Sequence, residues 1–195
     1  MTRPKVAIYN LYWATYGGGE QVSGAIAEAL KTHCDVTLLG PEAPNVEATR
    51  ARLGVDLSGC EWRKVVDDSE AGEASADFDV FVNGTYRSHT VNQAPVGLYY
   101  VHFPEPPITS RRQAVHKIAQ VGLGAMKAAP RLPDRLAGVQ RGLQRRVIDQ
   151  SWSKSYTKFL SNSTYTAGWV KKLWDAESEI VYPPVRTTVK PGKKV

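Results

Sequence analysis

Residues 9–21, YNLYWATYGGGEQ, constrain this chain more than any other stretch. A short apolar run, Val6-Ala7-Ile8, precedes them, and Val22, Ala25, Ile26, Ala29 and Leu30 follow at spacings of three and four residues, along one helical face. The segment reads as strand, glycine turn, helix. Gly17, Gly18 and Gly19 remove every Cβ and allow positive backbone dihedrals, so a loop here can pass close to a ligand with its N–H groups free. A helix start behind them adds unpaired N–H donors and a partial positive charge. Two readings stand: a tight strand-to-helix turn, or a cradle for a phosphate or a sugar hydroxyl. The run is neither the dinucleotide fingerprint GxGxxG nor the P-loop, since no GK[ST] follows it.

The chain beyond it continues as α/β. Residues 35–39 (DVTLL) read as a second buried strand stopped at Gly40-Pro41, and two parallel strands joined by a helix need a crossover, normally right-handed. Val46–Leu53 reads as a short helix closed by Gly54, residues 62–66 as a strand, and the acidic, alanine-rich 67–77 as an exposed linker of variable conformation. Further strands are expected at 78–83 (FDVFVN), ended by Asn83-Gly84, and at 96–102 (VGLYYVH), ended by the proline-rich run from Phe103 to Pro107. Lys158–Ser161 is another strand, 165–174 a helix capped from Asn162-Ser163-Thr164, and 179–182 a last strand before Pro183-Pro184. The fold class is therefore a Rossmann-like open, mainly parallel sheet with helices on both faces. Ligands in such sheets bind beyond the carboxyl ends of the strands. The glycine loop, the turn 83–89 that begins with Asn83, and 102–105 with His102 and Glu105 are expected to converge there.

Composition narrows the class. A chain of 195 residues, 42% hydrophobic and 23% charged, is long enough to bury a sizeable core and is expected to form one globular domain rather than a disordered segment. Cys34 and Cys60 form no CxxC, and no His is spaced for a metal, so neither a disulfide framework nor a metal site is expected. The apolar run before Asn10 is too short for a signal peptide, and no run approaches the roughly 20 apolar residues of a membrane span. A cytoplasmic placement follows as an expectation. The net charge of +6 is concentrated: residues 111–150 hold nine basic residues against Asp134 and Asp149, more than the whole excess. This segment divides at Pro130 to Pro133 into two amphipathic helices, the second with Arg141, Arg145 and Arg146. They are either ordinary solvated surface helices or a surface attracted to anionic lipid headgroups or a phosphorylated acceptor. Nucleic acid is not an expected partner, because no aromatics are interleaved with these basic residues as stacking platforms.

In order, YGGGEQ at residues 16–21, YVH at 100–102, SNSTYT at 161–166 and IVYPPV at 180–185 resemble the motifs of the N-terminal half of retaining glycosyltransferases of family 4, which have the two-domain GT-B architecture. The resemblance covers nearly the whole chain, and the Tyr-Pro-Pro-Val ending looks most like the mannosyltransferase-type members, including those that extend lipid-linked oligosaccharides. It implies that 1–185 is the acceptor-side domain, with the basic segment inside it, and 186–195 an interdomain linker or tail. It places Gly17, Gly18, Gly19 and Glu20 near donor phosphates and the transferred sugar, with Glu105 as a further residue there, and Asn83 is a candidate binding residue by its place at the converging strand ends. His102 matches a histidine that approaches the donor sugar.

The implied donor is a nucleotide sugar, with GDP-mannose a candidate, and no other cofactor; the acceptor is a saccharide or a lipid-linked one, which adds an anionic membrane surface as a partner and a peripheral position at the membrane. The second Rossmann-like half, which in that family holds the nucleotide and neutralises its diphosphate, is not in this sequence. Negligible turnover is expected without it, since stabilising developing charge is usually the largest catalytic contribution. An alternative from another class is a peripheral membrane-binding module that docks through the basic amphipathic helices.

Overall fold

A computed structural model describes residues 2–105 and 150–185. The chain divides into two compact units, Met1–Pro104 with Trp152–Val195, and Glu105–Ser151. The helices expected within 111–150 and the expected linker or tail at 186–195 lie outside the described residues, and so do Arg141, Arg145 and Arg146.

The first unit is built on one sheet of seven strands, β1 (Lys5–Tyr9), β2 (Asp35–Gly40), β3 (Glu61–Lys64), β4 (Val80–Asn83), β5 (Val96–Val101), β6 (Lys158–Ser161) and β7 (Ser178–Ile180), in the order β3-β2-β1-β4-β5-β6-β7. Every pairing is parallel, with β1 in register between Val36 of β2 and Val80 of β4 at Val6. Parallel strands covered on both faces read as continuous apolar runs, and β1 is buried from Val6 to Tyr9. Its side chains alternate between two cores. Val6 and Ile8 join Ala27 of α1 (Gly18–Leu30) and Leu53 of α2 (Val46–Leu53) in an aliphatic cluster with Val36, Leu38, Val55 and Leu57. Ala7 and Tyr9 point the other way, into a cluster with Ala71 and Ala74 of α3 (Asp68–Ser75), Val170 of α4 (Thr164–Trp174) and Trp152 of a short 3-10 helix, Gln150–Ser155. Helices thus cover both faces, as expected from the fold class.

Local signals account for most boundaries. Asn45 caps α2 by accepting from Ala48 N at 2.8 Å, and Gly54 closes it at φ 66°. Ser163 caps α4 from the SNSTYT run. Several expectations need correction at their edges: β4 begins at Val80, β7 spans Ser178–Ile180 and leaves Tyr182 exposed, and β3 is Glu61–Lys64. The larger correction concerns 67–77, which is not a variable linker. Asp67 Oδ1 accepts from Ser69 N at 2.9 Å and Glu70 N at 3.0 Å, and the helix behind that cap buries Ala71, Gly72, Ala74 and Ser75. Its small residues are what close packing demands, since a Cβ on Gly72 would lie 2.7 Å from Val91 O. Among the described residues no helix is long and apolar enough to cross a membrane.

Candidate active site

The strand order reverses direction between β1 and β4: successive strands run outward to β3 on one side and to β7 on the other. This is the topological switch point, where the crevice beyond the strand ends is widest. Three chain segments meet there.

The first is the glycine loop. Its front half is an anchor: Trp13 is buried and donates Nε1–H to Leu39 O at 2.9 Å, while Asn10, also buried, donates to Ser23 Oγ at 3.1 Å and accepts from Tyr12 N at 2.8 Å. The rear half opens α1. Gly17 is the N-cap residue, and Glu20 reaches back so that its Oε2 accepts from Gly17 N at 2.6 Å and Thr15 Oγ1 at 2.9 Å, one half of a capping box. Glu20 is 6% exposed, so its carboxylate is spoken for by the loop's own donors. Tyr16, just before the glycines, is held at φ 55°, the left-handed region that a bulky side chain rarely enters, and Arg52 stacks its guanidinium 4.8 Å above the Tyr16 ring.

The second is the turn after β4. Gly84 N donates to Tyr9 O at 2.9 Å and Leu11 N donates to Thr85 Oγ1 at 3.1 Å, which stitches the ends of β1 and β4 together. Only glycine fits at 84, because a Cβ there would run into Ser23 Oγ. Asn83 is wholly buried: its amide donates to Ser88 Oγ and Tyr156 Oη, both at 2.9 Å, and accepts from Thr85 N at 3.0 Å. It therefore shapes the turn. Asp68 does the same from α3, accepting from His89 N at 2.6 Å, Ser88 Oγ at 2.8 Å, and Tyr9 Oη and Thr90 Oγ1 at 2.9 Å. Burial, then the Asp68 charge, holds the Tyr9 hydroxyl far above its ordinary titration range, so it stays a donor. Nothing in the sequence singles out Asp68, whose partners are Tyr9, 59 residues away, and residues 20 to 22 positions on.

The third is His102, the first residue past β5. Its Nε2–H donates to Gly84 O at 3.0 Å, and its ring stands edge-on to Tyr100 at 5.1 Å and Tyr86 at 6.3 Å. Asn162 Nδ2 donates to the His102 carbonyl at 2.8 Å, tying the end of β5 to the end of β6. A Cβ on Gly19 would lie 3.5 Å from His102 Cε1, so imidazole and glycine loop face each other at contact distance. Burial pushes the His102 pKa below the ordinary histidine value, against smaller opposing pulls from the Gly84 carbonyl and the Glu20 carboxylate. Burial thus favours the neutral form of the ring. With the proton on Nε2, Nδ1 carries a lone pair, and among the described residues no donor engages it.

The expected convergence is therefore present for Gly17, Gly18, Gly19, Asn83 and His102. Glu105 is half-buried, three residues past His102, and falls in the second unit. The arrangement offers helix N–H donors for an anion or hydroxyl and, across from them, an imidazole acceptor for a hydroxyl or amide proton. Among the described residues no group of three or more His, Cys, Asp or Glu is placed to hold a metal ion. No known protein family matches this chain, and no curated protein does.

Proposed function

We propose that this chain is the acceptor-side half of a retaining glycosyltransferase, which moves a sugar from a nucleotide-sugar donor to a saccharide or lipid-linked acceptor. The observation that carries the reading is the His102 imidazole, held by the Gly84 carbonyl against the glycine loop at the switch point of a parallel sheet. The other motifs behind the resemblance fall at the same sheet end: SNSTYT joins β6 to α4, and IVYPPV leads out of β7.

The division of labour follows from the groups present. Backbone N–H donors at the start of α1 suit a phosphate or a sugar hydroxyl of the donor. His102 Nδ1 accepts a hydrogen bond from a sugar hydroxyl and orients it. The cations that neutralise a leaving diphosphate belong, in this reading, to a second half outside these 195 residues, with GDP-mannose a candidate donor bound mainly there. The lipid-surface reading rests on the basic residues within 111–150, which lie outside the described residues.

The test is transfer of radiolabelled sugar from a panel of nucleotide sugars, with this chain alone and with a complementary nucleotide-binding half supplied. Transfer is expected only with both, and His102→Ala is expected to lower kcat/KM of the assembled protein by about 100-fold or more. Full activity of the chain alone refutes the division of labour, and no transfer from any nucleotide sugar refutes the enzyme.

A further inference from the structure

Near the His102 crevice, α4 and Phe103 carry a cluster of aromatic rings at the surface. Tyr165, Gly168, Trp169 and Lys172 stand at i, i+3, i+4 and i+7 of α4, a single stripe along the helix. Phe103, the neighbour of His102 in the chain, lies against the start of that stripe. Its ring centroid is 6.3 Å from that of Tyr165 with planes 25° apart, and 6.1 Å from that of Trp169 with planes 54° apart. Tyr165 and Trp169 are 6.3 Å apart and inclined at 69°. Two rings in nearly parallel planes and a third inclined to both make an open corner. Phe103 is 42% and Tyr165 66% exposed, and a side chain added at Gly168 would touch nothing.

The interior has its own aromatic cluster around Tyr99, Trp152 and Tyr156, and among the described residues no ring contact joins the corner to it. A contiguous apolar surface left in water marks a binding site more often than single exposed residues do. Charge says more about the occupant. Lys171 is held by Asp175 and Glu177, whereas Lys172, 4.5 Å above the Trp169 ring, has no carboxylate partner among the described residues. The corner is thus an aromatic surface with a cation at its edge that no described carboxylate pairs with.

A pyranose phosphate matches both features. One face of a pyranose ring exposes C–H groups, which pack on an aromatic π-face while the hydroxyls stay in water, and its phosphate complements an ammonium. The Asn162–His102 bond fixes the corner and the imidazole to one backbone junction, which keeps the two in register. We propose that Phe103, Tyr165, Trp169 and Lys172 form a subsite for a glycosyl phosphate, the sugar on the rings and the phosphate at Lys172. As the acceptor site, this rests on the glycosyltransferase reading above.

The test is a titration of the 195-residue chain, labelled with 15N, with mannose 1-phosphate, glucose 1-phosphate, N-acetylglucosamine 1-phosphate and the corresponding free sugars. The expected result is a shift of the Trp169 indole signal by at least one sugar phosphate, at lower concentration than by its free sugar. Tyr165→Ala is expected to weaken binding about tenfold and Tyr165→Phe to restore it, since the ring face and not the hydroxyl makes the contact. Lys172→Gln is expected to abolish the preference for the phosphate; Trp62→Ala, an exposed residue on β3 at the other edge of the sheet, is expected to change nothing. No indole shift with any sugar phosphate overturns the proposal, as does binding unchanged in Tyr165→Ala. Recruitment to phosphatidylserine vesicles that Tyr165→Ala abolishes, without sugar-phosphate binding, overturns it in favour of a lipid surface. The two readings fail separately. Transfer by the assembled protein with an unchanged acceptor KM in Tyr165→Ala removes the subsite and leaves the enzyme; sugar-phosphate binding at the rings without transfer from any donor does the reverse.

Discussion

The two faces of the sheet are made of different chemistry. The face under α1 and α2 is aliphatic, with Val6, Ile8, Val36, Leu38, Leu53, Val55, Leu57 and Val82 packed round a single indole, Trp13. The face under α3, α4 and the 3-10 helix is aromatic and polar: Tyr9, Phe81, Tyr99, Trp152, Tyr156 and Phe159 lie beside the carboxylate of Asp68 and the amide of Asn83. Aliphatic burial is non-directional, so the first face supplies stability, and the directed contact it gives the glycine loop is the Trp13 Nε1–H bond to Leu39 O that anchors that loop. Nearly every polar group brought into the second finds a partner, and several of those partners are atoms of the turn after β4. Among the described residues Trp152 Nε1 is the one buried side-chain nitrogen or oxygen left without a partner. The aromatic face thus positions the turn after β4, whereas the aliphatic face holds up the sheet and contributes the Trp13 anchor of the glycine loop.

Mutations that separate these two jobs test the contrast. The largest effect is expected from Ile8→Ala, which leaves a cavity at a wholly buried position and should cost about 2–5 kcal/mol in urea unfolding. The His102 ring signals should stay where they are, and a shift comparable to that of an Asp68 variant would erase the distinction. Next, Asp68→Ala strips the acceptor from His89 N–H and from the hydroxyls of Tyr9, Ser88 and Thr90. About 2–3 kcal/mol is expected. Here the diagnostic is the loop: amide exchange in residues 84–93 should accelerate well beyond the general loss, and exchange that rises evenly through the sheet would make Asp68 an ordinary stabiliser.

A smaller effect concerns pH. Burial lowers the folded-state pKa of His102 below the unfolded value of about 6.5, so the unfolded chain binds the proton more readily. The associated stability is fully present above that unfolded value and is lost as pH falls through it towards the folded one. His102→Gln should flatten the stability profile as pH falls below the unfolded value, measured by urea midpoints. An unchanged slope would mean that His102 titrates as freely in the fold as outside it. The smallest effect is expected for the exposed pair Lys158–Glu179, 2.6 Å across β6 and β7. Lys158→Ala should cost no more than about 1 kcal/mol and disappear in high salt; a loss as large as that of Asp68→Ala would assign positioning power to the surface as well.

How far the fold could be read in advance depended on the range of the interactions involved. α2 was legible because its stop is local, a glycine that closes one short segment in the left-handed region. β1, β2, β5 and β6 were legible because buried parallel strands need unbroken apolar runs. α3 was not, because its buried face consists of Ala71, Gly72, Ala74 and Ser75, which are small enough to let the helix lie close to Val91 yet carry no hydrophobic periodicity. The same division runs through the candidate site. The glycine loop and His102 announce themselves by punctuation, three glycines on one side and a proline-rich stop on the other.

The sequence by itself therefore determined the α/β class, the placement of the glycine turn at a strand end and the exit of His102 from another, since each is a matter of neighbours in the chain. Tertiary structure decided what those residues can do. The Gly84 carbonyl, 18 residues from His102, sets the imidazole tautomer and leaves Nδ1 as the acceptor. Glu20 turns inward onto Thr15 and Gly17, and Asp68, in a stretch that reads as a linker, holds the turn that carries Gly84. Hydrogen bonds between residues far apart in the chain have no periodicity and no motif, so only the folded arrangement shows them.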